Sequence, residues 1–151
     1  MRIRFIINPI SGTGIQKNID KLITENFKNE NYEIYYTKGP RHATVLSAEA
    51  VKLGIDTIVA IGGDGTINIC AKNIIHTNIK LGIIPKGSGN GTAYTLGLNK
   101  NIKKCLDVIK KNKVNAIDVG IVNDKIFLNN TGFGFDAHVS KKIQKKNKKR
   151  L

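Results

Sequence analysis

Thr57-Ile58-Val59-Ala60-Ile61-Gly62-Gly63-Asp64-Gly65-Thr66 is the stretch on which the reading of the fold turns. Its first five residues are apolar or β-branched, a run that reads as a short buried strand. The run stops in three glycines, Gly62, Gly63 and Gly65, set around one acid. Glycines on both sides of Asp64 point to backbone conformations or close approaches that a Cβ would resist. Thr66 can cap a following helix, and Ile67, Cys70, Ala71, Ile74 and Ile75 then recur at helical spacing. Strand, tight glycine turn and helix together form the unit from which parallel α/β sheets are built.

The same unit recurs on either side. Upstream, Arg2 to Asn8 reads as a strand, Asn8-Pro9-Ile10-Ser11-Gly12-Thr13-Gly14 as a loop, and Ile15, Ile19, Leu22, Ile23 and Phe27 as a helix. Tyr32 to Thr37 is a second strand, broken by Gly39-Pro40. A helix through Ala43, Leu46, Ala50, Val51 and Leu53 follows and closes at Gly54. Downstream, Lys80 to Ile84 is a fourth strand, stopped by Pro85 before Lys86-Gly87-Ser88-Gly89-Asn90-Gly91. Helical segments are expected at Thr92 to Leu96 and Ile102 to Lys111. Val114 to Val122 and Lys125 to Asn130 flank Asn123-Asp124 as a hairpin. The expected fold is a three-layer α/β sandwich with a mostly parallel sheet and helices on both faces. Ligands of such sheets bind beyond the carboxyl ends of the strands, where three glycine-rich loops fall here.

Each loop has its own chemistry. The first leads from a strand into a helix, so free N–H groups and the positive end of the helix dipole suit a phosphate; a tight turn with Ser11 as cap is the alternative. It is not a dinucleotide fingerprint, because Lys17 stands three residues after Gly14, and no Gly-Lys-Ser/Thr of a Walker A loop occurs. In the second loop an acid among phosphate-ready N–H groups is a poor phosphate contact. Asp64 fits better as a partner of Mg²⁺, directly or through water, or as a base near an attacking hydroxyl; a plain turn residue is the remaining alternative. The third loop offers Ser88 and Asn90 as polar side chains and Lys86 as a charge near a phosphate, or Asn90 or Thr92 as a helix cap.

Composition narrows the class. The chain has 151 residues, 40% hydrophobic and 24% charged, the size and balance of one globular domain. No apolar run is long enough to span a bilayer, and no signal peptide is visible. Cys70 and Cys105 are neither spaced for a metal nor numerous enough for a disulfide framework, which favours a reducing, cytoplasmic setting. The net charge is +14, from 25 basic and 11 acidic residues. Such a charge points first to nucleic acid or an anionic membrane. Lys outnumbers Arg 21 to 4, however, whereas Arg carries most bidentate recognition. No nucleic-acid motif or aromatic–basic interleaving is present, so nucleic acid is not expected as a partner. Seven of the basic residues lie between Ser140 and Leu151; without them 18 basic residues face 11 acidic ones, a net +7. That terminal run reads first as a solvated helix end.

The ordered set of motifs resembles the catalytic domain of diacylglycerol kinases and the related sphingosine and ceramide kinases. Asn8-Pro9-x-Ser11-Gly12 is similar to the family's first nucleotide loop, and Thr37 with Arg41-His42-Ala43 to its segment bordering the adenosine. Gly62-Gly63-Asp64-Gly65-Thr66-x-Asn68 resembles its hallmark. Pro85-x-Gly87-Ser88-Gly89-Asn90, with Leu96-Gly97 behind it, resembles the next loop in its sphingosine-kinase-like form. Ile117-Asp118-Val119-Gly120, Asn129 and Gly132-x-Gly134-Phe135-Asp136-Ala137 are similar to the strands that close the domain. Gly-Gly-Asp-Gly alone is shared with NAD kinases and phosphofructokinases; the ordered set is specific to the lipid-kinase branch.

The resemblance implies transfer of the ATP γ-phosphoryl group to a lipid hydroxyl, with Mg²⁺. It implies a nucleotide site of Asn8, Ser11, Gly12, Thr37, Gly62, Gly63, Gly65, Thr66, Gly87, Ser88, Gly89 and Asn90. Asp64 would organise the metal or act as base, and Asp118 would lie near the acceptor hydroxyl; a strand-end structural acid is the alternative for Asp118. Residues 1–139 are the expected nucleotide-binding catalytic domain, and 140–151 a basic segment leading to a second, β-rich domain that family enzymes carry. Partners are then a nucleotide and a lipid at the membrane surface, with a homodimer left open and the protein cytoplasmic or peripheral at the membrane. Three positions depart from the family: Ile69 stands where a glutamate is usual, and Gly91 and Tyr94 where Asp and Arg are frequent. The chain by itself is therefore expected to bind ATP–Mg²⁺ weakly and to turn over lipid poorly. A kinase for a soluble acceptor such as NAD, and a degenerate nucleotide-binding module, are the competing readings.

Overall fold

The computed structural model describes residues 1–12, 18–130, 134, 137–138 and 142. Thr13, Gly14 and Ile15 of the first loop and helix lie outside the described residues. So do Gly132, Phe135 and Asp136 and nearly all of the terminal basic run.

Four strands form one parallel sheet: β1 (Arg2–Ile7), β2 (Asn31–Tyr36), β3 (Thr57–Gly62) and β4 (Lys80–Pro85), in the order β2-β1-β3-β4. Phe5 sits level with Ile34 on β2 and with Val59 on β3, and Val59 with Gly82 on β4. α1 (Ile19–Phe27) follows β1, α2 (His42–Lys52) follows β2 and α3 (Asp64–Ile74) follows β3. The short α4 (Gly91–Thr95) and α5 (Ile102–Lys110) follow β4.

Alternation along the strands assigns the two faces. Ile3, Phe5, Ile7, Val59, Ile61 and Ile84 join Ile19, Ile23 and Phe27 of α1 and Cys105 and Leu106 of α5 in one buried cluster. Phe5 meets the Phe27 ring edge-on, centroids 5.3 Å apart. The other face lies under α2 and α3 and holds a buried arginine. Arg4 pairs with Glu33, its register partner on β2, and its Nη1 donates to the Leu46 carbonyl at 2.8 Å. Glu49 Oε2 lies 3.5 Å from the same nitrogen, and the guanidinium sits 4.7 Å from the centroid of the Tyr35 ring. A buried charge survives only when its donors are met in this way.

The chain divides into two compact units, Met1–Asp118 and Val119–Leu151. The first contains the sheet and its five helices. In the second, β5 (Gly120–Val122) and β6 (Lys125–Phe127) pair antiparallel around Asn123-Asp124, both with positive φ as a two-residue hairpin turn demands. The strand expected from Val114 is thus shorter than its sequence indicates. Residues 112–118 are irregular and exposed, and among the described residues no strand pairs with them. Among the described residues no helix is long and apolar enough to cross a membrane.

Candidate functional site

The strand order places the site. β1 leads by α1 to the sheet edge at β2, whereas β3 leads by α3 to the opposite edge at β4, and α1 and α3 lie on opposite faces. The chain therefore opens a crevice between the carboxyl ends of β1 and β3. Asn8 stands at this point. Its backbone N–H donates to the Ile61 carbonyl at 2.9 Å, and its Nδ2 to Thr66 Oγ1 at 3.2 Å. Asn8 also shapes its own loop: its Oδ1 accepts from the Ile10 N–H and its carbonyl from the Ser11 hydroxyl at 2.9 Å.

The glycines let three loops touch. A Cβ on Gly12, whose φ is +65°, would stand 2.4 Å from the Lys86 carbonyl oxygen. One on Gly87 would stand 2.5 Å from Gly63 Cα, and one on Gly62 2.6 Å from the Thr66 hydroxyl. At Gly12 and Gly87 backbone meets backbone and leaves no side chain to swing away, so these two positions require glycine for packing alone, whereas Gly62 abuts the Thr66 side chain. Gly65 is different. An added Cβ there meets nothing within 4 Å, although the residue lies in the first turn of α3 and faces the cavity.

Asp64 ties the second loop to the third. Its Oδ1 accepts from the Thr92 N–H at 2.9 Å and its Oδ2 from the Gly91 N–H at 3.1 Å, the first two residues of α4. A carboxylate at a helix N-terminus meets both free donors and the positive end of the dipole. Partial burial pushes the carboxyl pKa up. Hydrogen bonds from the backbone of Thr92 and Gly91, with the Thr92 side chain and the Asn90 backbone, outweigh it and hold the group below its ordinary value. Asp64 is thus an ionised acid by construction. Asn90 precedes α4 in the left-handed region, fully buried. Its Oδ1 accepts from the Gly87 N–H at 2.6 Å and its Nδ2 donates to the Gly87 carbonyl at 2.8 Å.

These loops border an open cavity of about 780 Å³, a size usual for small-molecule sites. It gathers Asn8, Ser11, Gly12, Thr37, Gly63, Asp64, Gly65, Thr66, Gly87, Ser88 and Gly89 from the residues singled out in the sequence. Gly62 and Asn90 stand behind that surface, the first under Thr66 and the second holding Gly87. Asp118 is not in the lining; it is the exposed last residue of the first unit, in the irregular segment. Thr66 does not cap α3 from outside. The helix starts at Asp64, so Thr66 sits inside the first turn and spends its hydroxyl on Asn8.

Of the wall after β2, the sequence points to Thr37 and Ala43 but not to Lys38. Lys38, Gly39, Pro40 and Ala43 line it, with Ile10 and Ile69 adding apolar surface. The wall is held by the Lys38 N–H donating to His42 Nδ1 at 3.0 Å and by the His42 N–H donating to the Gly39 carbonyl at 3.1 Å. The break Gly39-Pro40 was the available signal, since a loop leaving that edge of a parallel sheet borders the same crevice. Among the described residues no cluster of three metal-ligating side chains exists, and Asp64 is the one carboxylate in the lining. The thiols offer no nucleophile: burial pushes Cys70 up to about 12 and raises Cys105 as well.

Parallel strands with interlocked glycine loops over the switch point define an α/β domain whose candidate ligand site lies at the carboxyl edge of the sheet. The sequence profile of the diacylglycerol kinase catalytic domain matches residues 2–122. The diacylglycerol kinase of Bacillus subtilis (strain 168) is 35% identical over 138 residues, 88% of this chain and 46% of its own length. That of Staphylococcus haemolyticus is 33% identical over 141 residues, 91% of this chain and 43% of its own. A crystal structure of a diacylglycerol kinase from Bacillus anthracis str. Sterne superposes with a TM-score of 0.72 at 31% identity, covering 84% of this chain and 45% of that one. The chain belongs to the diacylglycerol kinase catalytic-domain family, and it spans less than half the length of these relatives.

Proposed function

We propose that the chain is the nucleotide-binding part of an ATP-dependent lipid kinase, acting on a hydroxyl of a diacylglycerol or sphingoid-type lipid. The observation that carries this reading is the packing of three glycine loops around one ionised carboxylate at the mouth of a cavity of about 780 Å³. Ser11, Gly12, Gly63, Gly65, Ser88 and Gly89 would face the phosphates, with Asn8, Gly62, Thr66, Gly87 and Asn90 fixing the loops that present them. Thr37 to Ala43, Ile10 and Ile69 would receive the nucleoside end. The domain would extend over residues 1–139, with 140–151 leading onward.

The reaction is phosphoryl transfer, in which positioning and charge neutralisation do most of the work. The lipid oxygen bonds to the γ-phosphorus, the bond to the β–γ bridging oxygen breaks, and ADP leaves. Asp118 would lie near the acceptor hydroxyl, whose proton would leave to a carboxylate at the site or to solvent. A single carboxylate fits Mg²⁺, which keeps several waters and is commonly held by one or two acids and the substrate phosphates; bound beside Asp64, it would neutralise phosphate oxygens. Asp64 itself keeps the second and third loops in register and stays ionised.

Calorimetric titration of the chain with ATP and Mg²⁺ tests the site, and labelled ATP with short-chain diacylglycerol, sphingosine or NAD tests the acceptor. Expected are saturable ATP binding, weakened by Asp64→Asn, and label in lipid at a low rate. Absence of ATP binding, or label in NAD alone, overturns the reading.

A further inference from the structure

The basic excess outside the terminal run is concentrated on one segment, α5 and its two flanks. Residues 100–113 carry Lys100, Lys103, Lys104, Lys110, Lys111 and Lys113 against the single acid Asp107, a net +5. Residues 1–139 as a whole carry +7. The six lysines are all exposed, and no ion pair found in the described residues involves any of them. The helix geometry explains the display. Cys105 and Leu106 are buried and Ile102 and Ile109 half-buried, so α5 spends its whole apolar stripe on the sheet and α1. Its outer side is left with two rows one helical turn apart, Lys103-Asp107-Lys110 and Lys104-Val108-Lys111, in which Val108 is 40% exposed.

The helix is also oriented. Ile109 packs over Gly82, and Lys80 Nζ donates to Asn112 Oδ1 at 3.0 Å, so the end of α5 meets the beginning of β4. α5 therefore runs antiparallel to β4. Lys100, Lys103 and Lys104 stand towards the carboxyl edge, where the glycine loops are.

We infer that the outer side of α5 is a docking surface for an anionic phospholipid bilayer. Charge complementarity selects an anion, and the kind of charge selects the bilayer. All six groups are lysines, with no arginine and no aromatic side chain among residues 100–113. Lysines are hydrated point charges suited to a diffuse negative field, whereas base edges and phosphate forks are read by Arg and by stacking. Docking through this helix would hold the loop edge close to the surface that supplies a lipid acceptor. The choice of a bilayer rests on the lipid-kinase reading; the binding itself does not.

The test is sedimentation of the full chain with vesicles of phosphatidylcholine alone or mixed with phosphatidylglycerol, over a range of salt. Two variants complete it: Lys103→Gln, Lys104→Gln, Lys110→Gln and Lys111→Gln together, and a second with the terminal lysines 141–149 changed to Gln. At about fivefold per well-placed lysine, the α5 variant should lose roughly a hundredfold or more in partition onto the anionic vesicles. Its thermal unfolding should be unchanged, and added salt should release the parent chain. Equal binding to both kinds of vesicle, an α5 variant that binds like the parent, or loss of binding only in the terminal variant overturns the inference. So does equally tight, α5-dependent binding to single-stranded DNA. Vesicle binding without ATP binding would leave this surface standing and remove the kinase reading; ATP binding without vesicle binding would do the reverse.

Discussion

The two walls of the cavity are built by different means. On the β3–β4 side, loops are keyed together: Gly12 against Lys86, Gly63 against Gly87, Asp64 into the start of α4 and Asn90 back onto Gly87. On the β2 side, Thr37 to Pro40 is held at its root by the Thr37 N–H on the Ile7 carbonyl and at its turn by the two bonds with His42. The first wall has no room to adjust, so its identity residues are fixed by packing. The second is held by three hydrogen bonds, one of them to the His42 ring, and an added Cβ on its Gly39 would meet nothing within 4 Å. Under the proposed function the keyed wall would hold the phosphates and the β2 wall the nucleoside end.

The keyed wall breaks hardest. Gly87→Ala would drive a Cβ to 2.5 Å from Gly63 Cα and 2.9 Å from Asn90 Oδ1. Over-packing of this kind costs about 2–3 kcal/mol where neither neighbour is a flexible side chain. Urea unfolding should show that loss, and ATP binding should vanish with it. A midpoint unchanged from the parent would mean that the two loops do not meet.

Asp64→Asn comes next. The carbonyl of an amide can accept from one of the two α4 donors but leaves the other facing an NH₂, for about 1–2 kcal/mol. The pH dependence has a definite sign. The folded carboxyl lies below the ordinary 3.8, so its contribution is complete above that value and is lost as pH falls through the folded one. The parent should therefore lose stability in acid below about 3.8, and the variant should lose less there. Parallel acid profiles of the two proteins would show that Asp64 does not clamp α4.

How far the sequence reveals this contrast depends on what each residue does. Strand–loop–helix alternation exposes the sheet, because apolar runs and glycine breaks are local signals. Glycine density likewise exposes the keyed wall. The purpose of those glycines is not legible, since Gly87 and Gly63 are far apart in sequence and meet only across loops. The clamp of Asp64 on α4 is not legible either, since its two α4 donors are 27 and 28 residues away. Arg4 is a plain basic residue in a strand until Glu33, Leu46 and Glu49 surround it. The β2 wall carries no motif beyond Thr37, the Gly39-Pro40 break and the His42 segment.

His42 is where the β2 wall can be loosened without breaking the rest. His42→Ala removes the acceptor for the Lys38 N–H and frees a solvent-exposed turn, a change of about one hydrogen bond. ATP affinity should fall by roughly three- to tenfold while the unfolding midpoint stays near that of the parent. Asn, whose Oδ1 can accept from the same backbone, should restore most of the affinity, and Gln, one bond longer, should restore little. Equal affinities for the parent and Ala variants would mean that the ring does not position this wall.

The mildest change separates packing from binding altogether. Gly65 lies in α3 with nothing within 4 Å of an added Cβ, and its φ is outside the left-handed region. The protein itself thus gives no reason for glycine there. Ala is the better helix former, so Gly65→Ala should leave stability unchanged or raise it by about 0.5 kcal/mol. Gly65 lines the cavity with Gly63 and Gly87, so under the proposed function the added methyl would compete with the phosphates for space. A stable variant with weakened ATP binding would show that Gly65 is glycine for the ligand, as Gly87 is for the fold. A stable variant that binds ATP as the parent does would move the phosphates away from the first turn of α3, and with them the role proposed for this loop.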